Sequence, residues 1–264
     1  MSESVRKYDA WVIRKGEGRA SEDYLVVETA LTITLNGEPL TVTMQTPGNE
    51  LVLVRGLLYT EGIWTHKSKA LMTGRIEKDK LGYVTSIDAL TDDGDETSVI
   101  SKRSLLSVSA CGICGKTDIR FPSGKSLRPA WTELKLDLSS LFAAMQTQQK
   151  FFALSGGCHA AAAFDQQGNL LCTFEDIGRH NAVDKVVGNL LNAGELGRAS
   201  VLTVSGRVSY EIVAKSFAAG IPVIAAVSSV SSLAVDYSKE LGITLVGFCR
   251  EGRATIYSHP DRLF

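Results

Sequence analysis

Cys111 and Cys114 stand three positions apart in the run Ala110-Cys111-Gly112-Ile113-Cys114-Gly115-Lys116. A glycine follows each cysteine, which admits positive φ and leaves little side chain over the sulfurs. The stretch reads as a mobile loop that presents thiols. Lys116 is close by, and a neighbouring cation lowers a thiol pKa and enriches the nucleophilic thiolate. Three chemistries fit such a pair. It can be a dithiol redox couple, half of a zinc site that needs two further ligands, or a cysteine that carries sulfur as a persulfide. Two ordinary cysteines are the plainer alternative. They rank last, because free structural cysteines favour burial and this glycine-rich setting offers little apolar cover. The motif alone does not choose among the other three.

The elements that position the pair come from the rest of the chain. Its 264 residues carry a formal net charge of −1. That length supports one large domain or two small ones with a real core. No basic excess argues for nucleic-acid binding. The start, Met1 to Lys7, lacks a signal-peptide apolar core. The longest apolar stretch, 221 to 235, holds Pro222 and four serines, so no membrane span is expected. Five cysteines in such a chain favour a reducing compartment. A soluble, cytoplasmic protein is the expectation.

Residues 10 to 90 read as β-rich. Around Asn36-Gly37, apolar residues alternate with threonines from Ala30 to Met44, and the dipeptide suits a two-residue type I′ hairpin. The implied register sets Ile33 opposite Leu40 and Leu31 opposite Val42. A short helix follows Thr46-Pro47-Gly48-Asn49, with Leu51, Val54, Leu57 and Leu58 inward and Gly62 as its stop. Strands are expected near 72–77 and 82–89. A helix over about 138–151 has Asp137 as N-cap and turns Leu141, Phe142, Met145 and Phe152 inward. Strands at 158–164 and 170–174 precede a helix from Arg179. Strand 200–204, helix 209–219, strand 221–227, helix 230–241 and strand 243–248 complete the pattern. Gly220 and Gly242 close the last two helices. This alternation predicts an α/β fold (α+β overall) with a mostly parallel sheet covered by helices. The division is a smaller β-rich N-terminal domain over 1–107, the thiol loop over 108–128, and an α/β domain over 129–264.

Ligands in open α/β sheets gather at strand carboxyl ends and helix N-termini. Three polar clusters fall at such junctions. They are Ser155-Gly156-Gly157-Cys158-His159, Glu175-Asp176-Ile177-Gly178-Arg179-His180-Asn181, and Ser205-Gly206-Arg207-Val208-Ser209-Tyr210-Glu211. Cations at Arg179 and His180, in a helix's first turn, are unfavourable unless an anion is bound there. The third cluster places a glycine turn, an arginine and two hydroxyls at a helix start. It suits an anion as well as it suits ordinary capping by Ser209. Asp184 with Lys185 reads as a solvated helix face. Cys172 reads as a small apolar residue in a strand, Cys249 as a strand end, and Cys158 beside His159 as weak evidence for a further thiol.

No GxxxxGK[ST] occurs, and no GxGxxG follows a strand, which disfavours the standard nucleotide folds. Zinc-dependent deamination requires H-x-E followed by P-C-x-x-C. Here His159-Ala160-Ala161 lacks the glutamate, Ala110 stands in place of the proline, and the CxxC precedes the histidine. Deamination is rejected, and a structural zinc site is disfavoured.

The chain resembles the formate dehydrogenase accessory sulfurtransferases (FdhD) over nearly its whole length. The resemblance is carried by Thr46-Pro47, Leu57-Leu58-Tyr59-Thr60-Glu61-Gly62, Cys111-Gly112-Ile113-Cys114-Gly115 and Gly156-Gly157-Cys158-His159-Ala160. It continues through Glu175-Asp176-Ile177-Gly178-Arg179-His180-Asn181-Ala182-Val183-Asp184-Lys185 and Ser205-Gly206-Arg207. It implies a C-terminal cytidine-deaminase-like, three-layer domain without deaminase zinc chemistry, in a homodimer with no tightly held metal. It implies that Cys111 and Cys114 accept persulfide sulfur from a cysteine desulfurase. The sulfur would pass to the molybdenum (or tungsten) bis-pyranopterin guanine dinucleotide cofactor destined for formate dehydrogenase. Guanine nucleotides such as GDP would mimic that cofactor. Its pocket would draw on Gly156, Gly157, His159, Asp176, Gly178, Arg179, His180, Asn181, Ser205, Gly206 and Arg207. Two rivals are a non-catalytic cofactor chaperone and a CxxC thiol–disulfide oxidoreductase. The latter is disfavoured, since its usual CxxC opens a helix within a βαβ pattern.

Overall fold

The computed structural model describes residues 4–65, 71–91, 126–127, 129, 134 and 136–263. Cys111 and Cys114 lie outside the described residues, as do most of the thiol loop's expected bounds.

A two-stranded ribbon, β1 (Val5–Arg14) and β2 (Glu17–Val26), comes first. Next, β3 (Thr29–Leu35) and β4 (Glu38–Gln45) form the hairpin expected at Asn36-Gly37, where φ is 51° and 82°. Its register differs from the expectation. Ile33 pairs with Thr41 rather than Leu40, and Leu31 with Thr43 rather than Val42, because a bulge intervenes. Pro39 has no N–H for the ladder, and the bulge beside it absorbs one residue. Ile33 and Leu40 both stay buried.

Helix α1 (Glu50–Thr60) leads to β5 (Met72–Lys78) and β6 (Val84–Leu90), which complete a four-stranded sheet in the order β4-β3-β6-β5. The buried stripe of α1 is Leu53, Val54, Leu57 and Leu58, while Leu51 is 48% exposed. Leu53 with Leu57 and Val54 with Leu58 stack one turn apart, and Leu51 lies off that stripe.

The second sheet is six-stranded, in the order β12-β11-β10-β9-β7-β8. It comprises β7 (His159–Phe164), β8 (Leu170–Asp176), β9 (Val201–Val204), β10 (Val223–Ala226), β11 (Thr244–Arg250) and β12 (Arg253–Ser258). The expected mostly parallel pairing is corrected. β9, β10 and β11 are parallel, but β7 is antiparallel to both neighbours and β12 to β11. The links from β7 to β8 and from β11 to β12 are too short for a crossover, so each pair is a hairpin. Strand β12 has no counterpart in the sequence reading.

Asp137 caps α2 (Leu138–Thr147), accepting from the Ser139 and Ser140 N–H groups at 3.0 and 3.2 Å. The single helix expected to about 151 is two, because α2 stops before α3 (Lys150–Ser155). Phe152, on α3, is 43% exposed rather than inward. Helices α4 (Arg179–Ala193), α5 (Tyr210–Ala218) and α6 (Ser232–Leu241) follow. Alternate residues of β7 and β9 bury into two clusters. Ala160, Ala162, Phe164 and Val201 meet Leu141 and Met145 of α2. Ala161, Ala163, Leu202 and Val204 belong to a larger core with Val183 and Val187 of α4, Leu53 and Leu58 of α1, and Leu31 and Ile33 of β3. The sheet is thus covered on both faces, and one apolar core runs on through α4 and α1 to the first sheet. No helix among the described residues is long and apolar enough to cross a membrane.

Candidate functional site

The amino end of β7 and the carboxyl ends of β8 and β9 meet at one edge of the six-stranded sheet. His159 pairs with Asp176. The Ser205 N–H donates to the Ala160 carbonyl at 2.9 Å, and the Ala160 N–H donates to Ser205 Oγ at 2.9 Å. The first turn of α4 supplies Arg179 and His180, and the loop into α5 supplies Gly206 and Arg207. A Cβ on Gly206 would lie 3.2 Å from His159 Nδ1 and 3.5 Å from Arg179 Cβ. The absent side chain is what lets the three clusters close on one another.

The edge is electropositive. Burial, followed by the charges of Arg179 and His180 and then of Arg207, lowers the His159 pKa, although Asp176 opposes this. Arg207 is exposed. Among the described residues the buried Arg179 Nε has no hydrogen-bond partner. Gly178, the N-cap of α4, contributes no side-chain cap, so the helix's first N–H groups point outward unsatisfied by a capping side chain. Two guanidinium groups, a helix N-terminus and a glycine turn together suit a phosphate or diphosphate.

His180 is held from α5. Its Nε2 lies 3.0 Å from Glu211 Oε2 and 3.2 Å from Ser209 Oγ. Glu211 and His180 are each 8% exposed. Sequence reasoning placed Ser209 and Glu211 in the third cluster but gave neither a role toward His180. The usable signal was that both residues open a helix that follows a strand of the same sheet.

Asp176, Gly178 and Asn181 build the floor of the edge. Asp176 is fully buried and accepts from the Gly178 N–H at 2.7 Å, the Thr46 N–H at 3.1 Å and Asn181 Nδ2 at 3.1 Å. Lys185 Nζ lies 2.6 Å from Asp176 Oδ2 and donates to the Thr46 carbonyl at 2.8 Å. Asn181 also donates to the Met44 carbonyl at 2.7 Å and accepts from Thr43 Oγ1 at 3.2 Å. The polar atoms of Asp176 and Asn181 are thus spent on tying α4 to the end of β4.

The solvated face expected for Asp184 and Lys185 is corrected, since each is 1% exposed. Asp184 takes up Lys215 Nζ with both carboxylate oxygens at 2.9 Å, and it accepts from Thr60 Oγ1 at 2.7 Å. Helix α4 is buried on nearly every side, so its polar residues also point into protein and are paired there.

The other predicted residues fall around this centre. Gly156 ends α3 at φ 63°, and exposed Gly157 lies against Val26 of β2. The Cys158 thiol donates to Glu175 Oε1 at 3.3 Å. Burial, then Glu175, pushes the Cys158 pKa up. Burial pushes Cys172 up to about 12 and Cys249 to about 11. A cleft of about 480 Å³ lies at the opposite end of the sheet, lined by Asp165, Arg198, Ser200 and Pro222 among others. It shares no residue with the electropositive edge.

Residues 26–264 match the FdhD/NarQ family. A sulfur carrier protein FdhD from Streptomyces coelicolor is 40% identical over 264 residues, covering 95% of this chain and 93% of its own. One from Mycobacterium tuberculosis is 41% identical over 251 residues, covering 90% and 91%. One from Sulfolobus acidocaldarius is 35% identical over 266 residues, covering 98% of each. A crystal structure described as that of a formate dehydrogenase accessory protein from Desulfotalea psychrophila shares the fold. Its TM-score is 0.74 at 22% identity, over 98% of this chain and 99% of that one.

Proposed function

The chain belongs to the FdhD/NarQ family, and from that premise we propose that it is a sulfur carrier acting for formate dehydrogenase. Cys111 and Cys114 are the sulfur-bearing thiols. The edge built by His159, Arg179, His180, Ser205, Gly206 and Arg207 receives the recipient cofactor. The observation that carries this reading is the condition of the other three thiols. Cys158, Cys172 and Cys249 all have pKa values raised by burial, so they are protonated at neutral pH and are poor nucleophiles. Of the five cysteines, that leaves the CxxC pair to accept sulfur.

The chemistry balances as follows. A thiolate of Cys111 or Cys114 attacks the terminal sulfur of a cysteine desulfurase persulfide. A new S–S bond forms, the old one breaks, and the desulfurase leaves as a thiolate. The second cysteine then attacks the inner sulfur of the new persulfide. A Cys111–Cys114 disulfide closes and sulfide departs, so two thiols are oxidised as the sulfane sulfur is reduced by two electrons. A cellular dithiol reductant reopens the disulfide. The sulfide acceptor is the molybdenum (or tungsten) bis-pyranopterin guanine dinucleotide, bound as substrate with its phosphates at Arg179, Arg207 and the α4 N-terminus. The reading includes a cytoplasmic homodimer acting as a sulfurtransferase, with a cytidine-deaminase-like C-terminal half.

The test is incubation of the purified chain with a cysteine desulfurase and cysteine, followed by mass spectrometry without reductant. A gain of one or more sulfur atoms on the Cys111–Cys114 peptide, lost in the Cys111→Ala/Cys114→Ala chain, is the expected result. An unmodified peptide beside an active donor overturns the relay and leaves a cofactor chaperone.

A further inference from the structure

Of the His180 ring nitrogens, one is committed to partners on α5. Nε2 lies 3.0 Å from Glu211 Oε2, with Ser209 Oγ at 3.2 Å. Glu211 accepts only, so the shared proton belongs to Nε2. Among the described residues Nδ1 has no hydrogen-bond partner. The ring stands in the first turn of α4, beside Arg179 and close enough to His159 for its charge to be felt there. A cation in the first turn opposes the helix dipole, and Glu211 supplies a counter-charge from a different helix.

We infer that Glu211 is a positioning residue for the anion site. It holds the His180 ring with Nε2–H turned toward α5, so that the Nδ1–H of the doubly protonated ring donates to the bound anion. This inference rests on the reading of the edge as the cofactor site. Three further facts support it. Glu211 is nearly buried, so its hydrogen bond is little weakened by competing water. Burial tends to raise the Glu211 pKa, but the hydrogen bond and charge of His180, then the charge of Lys215, outweigh it and hold the pKa below its ordinary value. Ser209 Oγ reaches both His180 Nε2 and Glu211 Oε2, the latter at 3.4 Å. Both groups meet the ring at the single atom Nε2 and tie it to α5. A second group that fixes protonation and ring angle in this way is a recognised means of tuning a histidine.

Two measurements test the inference. The first is ring nitrogen NMR of the unaltered full-length chain with ¹⁵N-histidine, His180 being assigned from a His180→Gln chain. With inorganic phosphate present, a ring protonated at both nitrogens supports the assignment, and a ring bare at Nδ1 overturns it. A ring bare at Nε2 overturns it as well, and this arm needs no Glu211 variant to fold.

The second is a double-mutant cycle on guanosine diphosphate affinity, read by calorimetry. Glu211→Ala should weaken binding about tenfold, the scale of losing a hydrogen bond to a charged group. In a His180→Ala background it should change binding by less than about twofold, since nothing remains for it to position. Glu211→Gln, whose amide oxygen still accepts from Nε2–H, should recover most of the loss. Equal losses in both backgrounds, or no loss in either, overturn the positioning role. If the unaltered chain does not bind guanosine diphosphate, it is the cofactor-site reading that fails. The NMR arm then still decides whether Glu211 fixes the ring.

Discussion

Gly56 and Gly188 face each other where α1 crosses α4. A Cβ on Gly56 would lie 1.8 Å from the Asp184 carbonyl oxygen, and one on Gly188 would lie 1.9 Å from the Val52 carbonyl oxygen. Each helix's backbone therefore occupies the space that the other's side chain would need. Gly→Ala inside an exposed helix gains about 1 kcal/mol of propensity. Here the obstacle is backbone, which cannot rotate aside. Gly56→Ala and Gly188→Ala should each destabilise by more than about 2 kcal/mol, within or above the usual overpacking cost. Urea denaturation midpoints check the sign. A midpoint that does not fall would refute this close approach.

The Lys185–Asp176 pair gives the second prediction. Both side chains are at most 1% exposed and 2.6 Å apart. Removing one partner strands the other charge without water. Lys185→Met should cost about 3–5 kcal/mol, and Lys185→Met with Asp176→Asn should cost less than the sum of the single changes. Thermal unfolding of the three variants measures the coupling. Strict additivity would show that the pair does not interact.

Thiol reactivity gives the third. At pH 7.5, native alkylation with iodoacetamide should label Cys111 and Cys114 and spare Cys158, Cys172 and Cys249. The raised pKa of a buried thiol favours its neutral form in the fold. Whatever stability this contributes is lost as pH rises past the ordinary thiol value of 9.0 toward about 11 and 12 for Cys249 and Cys172. Peptide mass spectrometry across pH 7 to 9 reads the order of labelling. Early labelling of Cys172 or Cys249 would contradict it.

His159 gives the fourth. Its pKa is lowered from 6.5 by burial, then by Arg179 and His180. Between that lower value and 6.5 the unfolded chain binds more protons, so the stability attached to His159 rises with pH and is lost as pH falls through the window. His159→Gln should flatten the stability–pH curve just below 6.5. Adding inorganic phosphate should raise the His159 pKa, because the anion offsets Arg179 and Arg207. An NMR titration with and without phosphate reads both effects, and a downward shift on adding phosphate would contradict an anion at this edge.

Turn chemistry was legible only where its residues are distinctive. Asn36-Gly37 announced a hairpin, and φ values of 51° and 82° confirm it. Lys15-Gly16 and Glu251-Gly252 adopt the same left-handed pair, at 52° with 88° and 54° with 71°. Lysine and glutamate carry no local preference for that region, so β12 went unread and β1 and β2 were absorbed into a general β-rich segment. The placement of α4 and α6 was legible from the alternation of strand and helix, and the Asp137 cap from its residue type. Burial of Asp184 and Lys185 was not, because periodicity reports one apolar face and says nothing of a helix enclosed by α1, α5 and two sheets. The three anion-site clusters were readable as strand–helix junctions. That Asp176 and Asn181 turn inward, toward Thr46 and Met44, is set by contacts between segments more than a hundred residues apart, which no window of local sequence reports.

The clamp on Thr46 also constrains the order in which this molecule can come into being. The bonds from Thr43, Met44 and Thr46 to Asp176, Ile177, Asn181 and Lys185 span 130 to 139 positions. During synthesis, which proceeds from the N-terminus, the β3–β4 hairpin leaves the ribosome long before α4 exists. Leu53 and Leu58 of α1 must wait for Val183 and Val187 before their shared core can close. Closing so long a loop is entropically slow. The first sheet with its helix is therefore a nascent-chain liability: α1 carries an uncovered apolar face until more than two thirds of the protein has been made.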